Sequence, residues 1–275
     1  MALAQADFAY ISQLVRKQAA IVIEPGKEYL VETRLGPLAQ AEGEADIASL
    51  VSRLQADRTG RLATKVVDAM TTNETLFFRD GHPFESLRNL VLPELIAARK
   101  NDRRLSIWCG ASSSGQEPYS LAMVLKDVLS QHPGYGVSLV ASDVNEEMLA
   151  RTREGVYSQL EVNRGMPIAS LVQHFDKVGT KWQAKADLRA MIETKNVNLA
   201  APFPRMGPFD LVFLRNVLIY FDTDAKRAVL DQVRTVLKPD GYLFLGGAET
   251  TLTIDSSWER VAFGPSTAYR PGKGN

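Results

Sequence analysis

The chain has 275 residues, with 32 Lys and Arg balancing 32 Asp and Glu. Hydrophobic residues make up 45% and charged residues 23%. That composition excludes a disordered, collagen-like or coiled-coil chain, and the zero net charge argues against a strongly basic nucleic-acid binder. The single cysteine, Cys109, excludes an internal disulfide and a multi-cysteine zinc site, and no metal site is expected.

Residues 1–75 read as a small helical domain. Phe8, Ile11, Leu14 and Val15 recur at helical spacing after Asp7, which reads as a cap. A second segment runs through Tyr29, Leu30, Leu35 and Leu38, interrupted by Gly36-Pro37. A third follows Asp46 through Ile47, Leu50, Val51 and Leu54, and a fourth covers Leu62, Val66, Val67 and Met70. Asp7 precedes any apolar run and Arg16-Lys17 follow it, the wrong order for a secretory signal. No stretch approaches the roughly eighteen apolar residues of a membrane span. The expectation is a cytoplasmic protein with no direct membrane insertion.

Residues 76–90 read as a linker, and residues 91–275 as a second domain. Leu105–Trp108 reads as a buried strand, followed by a Gly/Ser turn and a helix from Pro118 to about Leu129. Val137–Ser142 is a second strand and Asn145–Arg153 a second helix. Phe209–Leu214 is a buried strand, Ala225–Leu237 a helix, Lys238-Pro239-Asp240-Gly241 a turn, and Tyr242–Leu245 a strand. Strands alternating with crossover helices imply an α/β fold with a parallel, doubly wound sheet. Residues 165–195 interrupt this order and read as an inserted antiparallel β-subdomain.

In such a sheet, ligands bind outside the carboxyl ends of the strands. The run Trp108-Cys109-Gly110-Ala111-Ser112-Ser113-Ser114-Gly115-Gln116-Glu117-Pro118 follows the first strand. Its small residues let a ligand approach the backbone, or form a tight turn with no ligand. It lacks the Lys of a phosphate loop, so a nucleoside without a polyphosphate fits better, and Glu117 suits an ammonium group. Asp143 ends the second strand, where an acidic residue accepts ribose hydroxyls; Asp143 or Asn145 also suits a helix N-cap. Arg215 and Asn216 end the strand Phe209–Leu214, facing a ligand or solvent.

Six stretches then stand in one order: Thr71-Thr72-Asn73-Glu74-Thr75-Leu76-Phe77-Phe78-Arg79-Asp80, Ser114–Ser120, Ser142–Asn145, Asn196-Val197-Asn198-Leu199, Leu214–Phe221 and Leu237–Gly241. Together they resemble the chemotaxis receptor methyltransferases of the CheR type, from about residue 7 to residue 270. The resemblance implies an all-α N-terminal domain before a Rossmann-like class I methyltransferase domain with a small antiparallel β-subdomain. It implies transfer of a methyl group from S-adenosylmethionine to receptor glutamates, giving glutamyl methyl esters and S-adenosylhomocysteine. By the same match Asn73, Thr75 and Arg79 reach the cofactor from the interdomain segment, with Arg79 on its carboxylate. Glu117 takes the ammonium and Asp143 the ribose. Asn198 and Leu199 serve the adenine, Arg215 and Asn216 line the pocket, and Tyr220 stands at the methyl-transfer region.

A glutamate side chain, with a pKa of about 4.3, is already a nucleophile at neutral pH. No general base is needed, and His82, His132 and His174 lie outside the main motifs. The expected partner is the cytoplasmic helical domain of chemoreceptors. Arg53, Arg58, Arg61 and Lys65 against Asp57 form either a basic recognition face or an ordinary solvated one. Where the family's recognition helix is arginine-rich, this chain has Arg34 followed by Gly36-Pro37. The short segment Phe175–Trp182 argues against tethering to a receptor C-terminal peptide. Two alternatives are another Rossmann methyltransferase and a non-catalytic S-adenosylmethionine-sensing module.

Overall fold

A computed structural model describes residues 3–272. They divide into two compact units. The first holds the chain up to Thr72 together with Asn198–Pro202 and Tyr220–Val229; the second holds Asn73–Val197, Phe203–Ile219 and the chain from Leu230.

The first unit is built from helices α1 (Gln5–Ala19), α2 (Glu28–Ala41), α3 (Ile47–Ala56) and α4 (Arg61–Met70). Their apolar stripes meet in one core that includes Phe8, Ile11, Val15, Val31, Leu35, Leu50 and Val66. Asp46 caps α3 by accepting from the Ser49 amide at 2.8 Å. Asp7 caps nothing: Ala4 is the N-cap of α1, and Asp7 lies in the first turn, where its charge suits the helix dipole. Gly36-Pro37 does not interrupt α2, which runs through both. Leu35 and Ala39 are buried on either side of Pro37, and that packing offsets the one missing backbone bond. Arg34 is committed inside this unit. Its Nη1 donates to the Met70 and Thr71 carbonyls at 2.5 and 3.1 Å, and its Nη2 to Thr72 Oγ1 at 2.9 Å. It closes the end of α4, where a cation is favoured.

The second unit opens with α5 (His82–Ser86), a π-helical turn over Leu87–Val91, and α6 (Leu92–Ala98). Then come β1 (Arg104–Gly110), α7 (Gln116–Leu129), β2 (Gly136–Asp143), α8 (Glu146–Glu154), β3 (Val156–Ser158), α9 (Gln159–Asn163) and α10 (Ile168–His174). Next are β4 (Phe175–Val178), β5 (Lys181–Ala184), α11 (Ala186–Arg189), β6 (Ile192–Asn196), β7 (Phe209–Leu214) and α12 (Thr223–Val236), whose first half belongs to the first unit. The chain ends in β8 (Leu237–Leu245), β9 (Trp258–Phe263) and β10 (Ser266–Pro271).

The main sheet has the order β6-β2-β1-β7-β8-β10-β9, parallel except for its last two pairings. The strand order reverses between β1 and β7, the switch point at which α/β sheets bind ligands. This is the expected Rossmann-like fold. Lys238–Gly241 does not end the helix and start a strand, as expected. It loops out within β8, between the pairs Phe209↔Leu237 and Leu211↔Tyr242, because Leu237 already joins the ladder. The second sheet is antiparallel, order β3-β5-β4. Its strands lie within residues 156–184, earlier than the expected 165–195, and residues 192–196 pair with β2 in the main sheet. A three-residue strand such as Val156–Ser158 is too short for alternation to reveal it; the buried Tyr157 anchors it.

Candidate functional site

β1 is exposed at Arg104 and buried from Ile107 onward, and it delivers a tight turn to the switch point. Ala111 (φ 51°), Ser113 (φ 49°) and Gly115 (φ 99°) all take the left-handed region. At Ala111 and Ser113 this is costly backbone of the kind that functional turns hold. Gly115 has no alternative: a Cβ there would lie 2.7 Å from Tyr157 Oη and 2.8 Å from Thr152 Oγ1. Ser112, Ser113, Ser114, Gln116 and Glu117 are all buried.

The turn and Asp143 hold each other. The Ser113 amide donates to Asp143 Oδ2 at 2.8 Å, and the Asn145 amide donates to Asp143 Oδ1 at 2.9 Å. Burial raises the Asp143 pKa, against the lowering effect of the backbone amides of Asn145, Ser113 and Val144. Asn145, not Asp143, caps α8, accepting from the Met148 amide. Asp143 is thereby left for another role, since each carboxylate oxygen accepts more than one bond. Ser113 Oγ donates to the Asn73 carbonyl at 2.7 Å, which joins the residue 73 segment to the same cluster.

Glu117, in the first turn of α7, is 8% exposed. Its Oε2 accepts from Arg215 Nη1 at 2.5 Å. Arg215, delivered by the end of β7, spends Nη2 on Asp80 Oδ2 at 2.7 Å and on the Arg79 carbonyl at 3.1 Å. The guanidinium also lies over the Phe84 ring. Burial raises the Glu117 pKa, opposed by the attraction and hydrogen bond of Arg215 and by Arg79. Among the described residues Glu117 Oε1 meets only the Cys109 thiol, at 3.6 Å. That thiol is a weak donor, and burial and Glu117 push its pKa well up, so it stays protonated. Arg79 Nη1 donates to the Glu74 carbonyl at 3.4 Å. Thr75 is half-buried.

Glu249 was not anticipated. It ties the ends of β7 and β8 together, accepting from the amides of Asn216 at 2.7 Å, Gly246 at 2.6 Å and Ile219 at 3.2 Å. Gly246 must be glycine, since a Cβ would lie 2.7 Å from both Glu249 Oε2 and Asn216 Nδ2. The signal was present: Glu249 lies just beyond the carboxyl end of β8, as Asp143 stands at the carboxyl end of β2. Asn216 sits at φ 59°, and its Oδ1 is buried without a hydrogen-bond partner among the described residues.

Thus Asn73, Arg79, Glu117, Asp143, Arg215 and Asn216 gather around the turn and the adjoining strand ends. Asn198, Leu199 and Tyr220 fall in the other compact unit. There Asn198 Nδ2 donates to the Gln18 carbonyl at 2.5 Å, and its Oδ1 accepts from the Ala200 amide at 2.9 Å. Both ends of that amide are therefore engaged. Leu199 is buried, and the Tyr220 carbonyl accepts from the Val22 amide at 2.9 Å.

The second unit's edge suits a ligand carrying a cationic donor and vicinal hydroxyls. It offers Glu117 Oε1 with only a thiol, Asp143 with spare acceptor capacity, and the orphaned Asn216 Oδ1. An ammonium and a ribose meet those demands.

Known proteins give the same answer. The all-alpha domain of CheR methyltransferase matches residues 6–71, and the CheR methyltransferase SAM binding domain matches residues 73–266. Chemotaxis protein methyltransferase 1 of Pseudomonas aeruginosa is 42% identical over 98% of this chain and 99% of its own length. Chemotaxis protein methyltransferase Cher2 of Pseudomonas putida is 39% identical over 96% and 97%. The chemotaxis protein methyltransferase of Vibrio parahaemolyticus is 38% identical over 96% of each chain. The chain belongs to the CheR methyltransferase family, and its cofactor is S-adenosylmethionine.

Proposed function

We propose that this protein methylates glutamate side chains of chemotaxis receptors, producing glutamyl methyl esters and S-adenosylhomocysteine. The observation that carries the reading is the state of the titratable groups at the strand ends. Glu117 is ion-paired to Arg215, Asp143 is held by two backbone amides, and Glu249 by three. His82 is hydrogen-bonded to Ser266, and His174 is buried 3.5 Å from Asp127, with burial lowering its pKa and so favouring the neutral ring. None stands ready as a general base, and a carboxylate acceptor needs none, being ionised at neutral pH.

Bound S-adenosylmethionine supplies an electrophilic methyl group on a sulfonium. Transfer to a carboxylate would form the oxygen–methyl bond as the carbon–sulfur bond broke, with the electron pair left on sulfur and no proton for this chain's residues to move. The protein's contribution is then positioning, worth about 7–11 kcal/mol in favourable cases. In this reading Asn73, Thr75 and Arg79 hold the amino-acid end of the cofactor with Glu117, and Asp143 the ribose. Arg215 fixes Glu117, Asn216 lines the pocket, and Asn198 and Leu199 serve the adenine. Tyr220 stands by the acceptor.

The relatives named chemotaxis protein methyltransferases support chemoreceptors as the partner. The test is transfer of labelled methyl from S-adenosylmethionine to membranes containing chemoreceptors, followed by mild alkali. Methyl esters release volatile methanol, and alkali-labile label on the receptor is the expected result. Alkali-stable label would replace glutamate with another acceptor. Cofactor binding with no label on any receptor offered would favour a sensing module.

A further inference from the structure

A cleft of about 410 Å³ opens at the carboxyl ends of β7 and β8 beside the start of β10. Arg215, Asp80, Glu249 and Arg260 all line it. Three of these charges are already committed. Arg215 is shared between Glu117 and Asp80, and Glu249 is spent on three backbone amides.

Arg260 is different. It is exposed, on the edge strand β9. Its Nε and Nη2 donate to one hydroxyl, Thr267 Oγ1, at 3.4 and 3.0 Å. Among the described residues no carboxylate lies within ion-pair distance of it. Arg270, on the neighbouring strand, shows the usual arrangement, donating to both oxygens of Glu259 at 2.9 and 2.8 Å. A guanidinium has five N–H donors; Thr267 engages two of them, leaving three.

The hydroxyls of the cleft are also poised to donate. Thr250 Oγ1 accepts from Tyr269 Oη at 3.3 Å and from the Leu252 amide at 3.2 Å, so its lone pairs are used and its proton is not. Thr267 Oγ1 accepts twice from Arg260 and keeps its proton in the same way. The cleft therefore offers a fixed guanidinium and hydroxyl protons to a ligand that accepts and bears negative charge. A carboxylate is such a ligand.

We propose that this cleft is a subsite for a second carboxylate of the acceptor protein, flanking the glutamate that receives the methyl group, with Arg260 as its specificity-determining residue. The inference rests on glutamate being the acceptor. It follows that neutralising a flanking carboxylate, by amidation or by its own methylation, slows methylation of its neighbour.

The test uses cytoplasmic chemoreceptor fragments in two forms, one natural and one with the acidic residues flanking the methylated glutamates replaced by Gln or Asn. Initial rates of alkali-labile methylation are compared for the wild type, Arg260→Ala and Arg260→Lys. Neutralising the flanks is expected to cost the wild type about tenfold in kcat/KM, mostly in KM. Arg260→Ala loses about as much on the natural fragment and nothing further on the neutralised one. Arg260→Lys recovers part of the loss, and cofactor affinity by calorimetry is the same in all three. An Arg260→Ala enzyme that keeps the full dependence on the flanking charges overturns the subsite. So does an equal loss on both fragments. A wild type that labels no glutamate in either fragment removes the glutamate reading itself, and the subsite with it.

Discussion

The end of β2 and the end of β7 each secure a buried carboxylate, by opposite means. Asp143 is held by backbone amides two residues and thirty residues away, at 2.9 and 2.8 Å. Glu117 is held by a side chain, Arg215, 98 residues away, at 2.5 Å. Side-chain changes other than to proline leave backbone amides in place, so the β2 end depends less on neighbouring side chains. The β7 end stands or falls with one guanidinium, which also binds Asp80 and the Arg79 carbonyl. One carboxylate is set by the turn, the other by a network.

The sharpest way to break this contrast is Arg215→Met. It leaves Glu117 buried and uncompensated, and is expected to cost about 3–5 kcal/mol of unfolding free energy by denaturant titration. Adding Glu117→Gln should recover much of that loss; a double variant as unstable as the single would assign the cost to packing. Asp143→Asn is the matching change at β2. It turns an NH2 group towards one of the two backbone donors, at an expected cost of about 1–3 kcal/mol. Cofactor affinity should fall with it, and unaltered affinity by calorimetry would remove Asp143 from the site. Gly115→Ala strains the turn without touching either carboxylate. With its left-handed backbone and the crowding by Tyr157 and Thr152, it should cost at least about 1–2 kcal/mol, and a neutral result would show that the turn relaxes freely.

Acidity probes the same pair more gently. Both carboxylates have raised pKa values, Glu117 from 4.5 and Asp143 from 3.8, each through burial. The native state then binds their protons more tightly than the unfolded chain does. Their contribution to stability therefore falls as pH rises from those ordinary values through the folded ones. Asp187 and Asp222 have lowered values, through Lys126 and through the Ala225 amide with Arg16. They act in the opposite sense, adding stability above the ordinary value that is lost as pH falls through the folded one. Relative to wild type, the stability curve of Glu117→Gln should tilt upward with pH above 4.5; parallel curves would mean that burying Glu117 carries no penalty. The smallest structural effect belongs to Tyr220→Phe. It should slow turnover while leaving stability and cofactor affinity within about twofold, as the loss of one hydroxyl allows. An unchanged rate would take Tyr220 out of the reaction.

Much of this was legible in the residues. The four N-terminal apolar stripes, the alternation of strands and helices, the small-residue turn after β1 and the acidic residue closing β2 are all local patterns. They arise because periodicity and turn chemistry act over a few neighbouring positions. The family resemblance likewise rested on short runs in order. What the tertiary structure decided is which distant groups meet. It paired Glu117 with Arg215, set Glu249 across the ends of β7 and β8, and turned Arg34 inward onto the end of α4. It carried α2 through Gly36-Pro37 and looped Lys238–Gly241 out of β8. Each depends on which elements lie side by side, β1 against β7 and β7 against β8. Burial then fixes the outcome: a charge or a broken helix turn inside the protein persists only where a partner, distant in sequence, is packed against it.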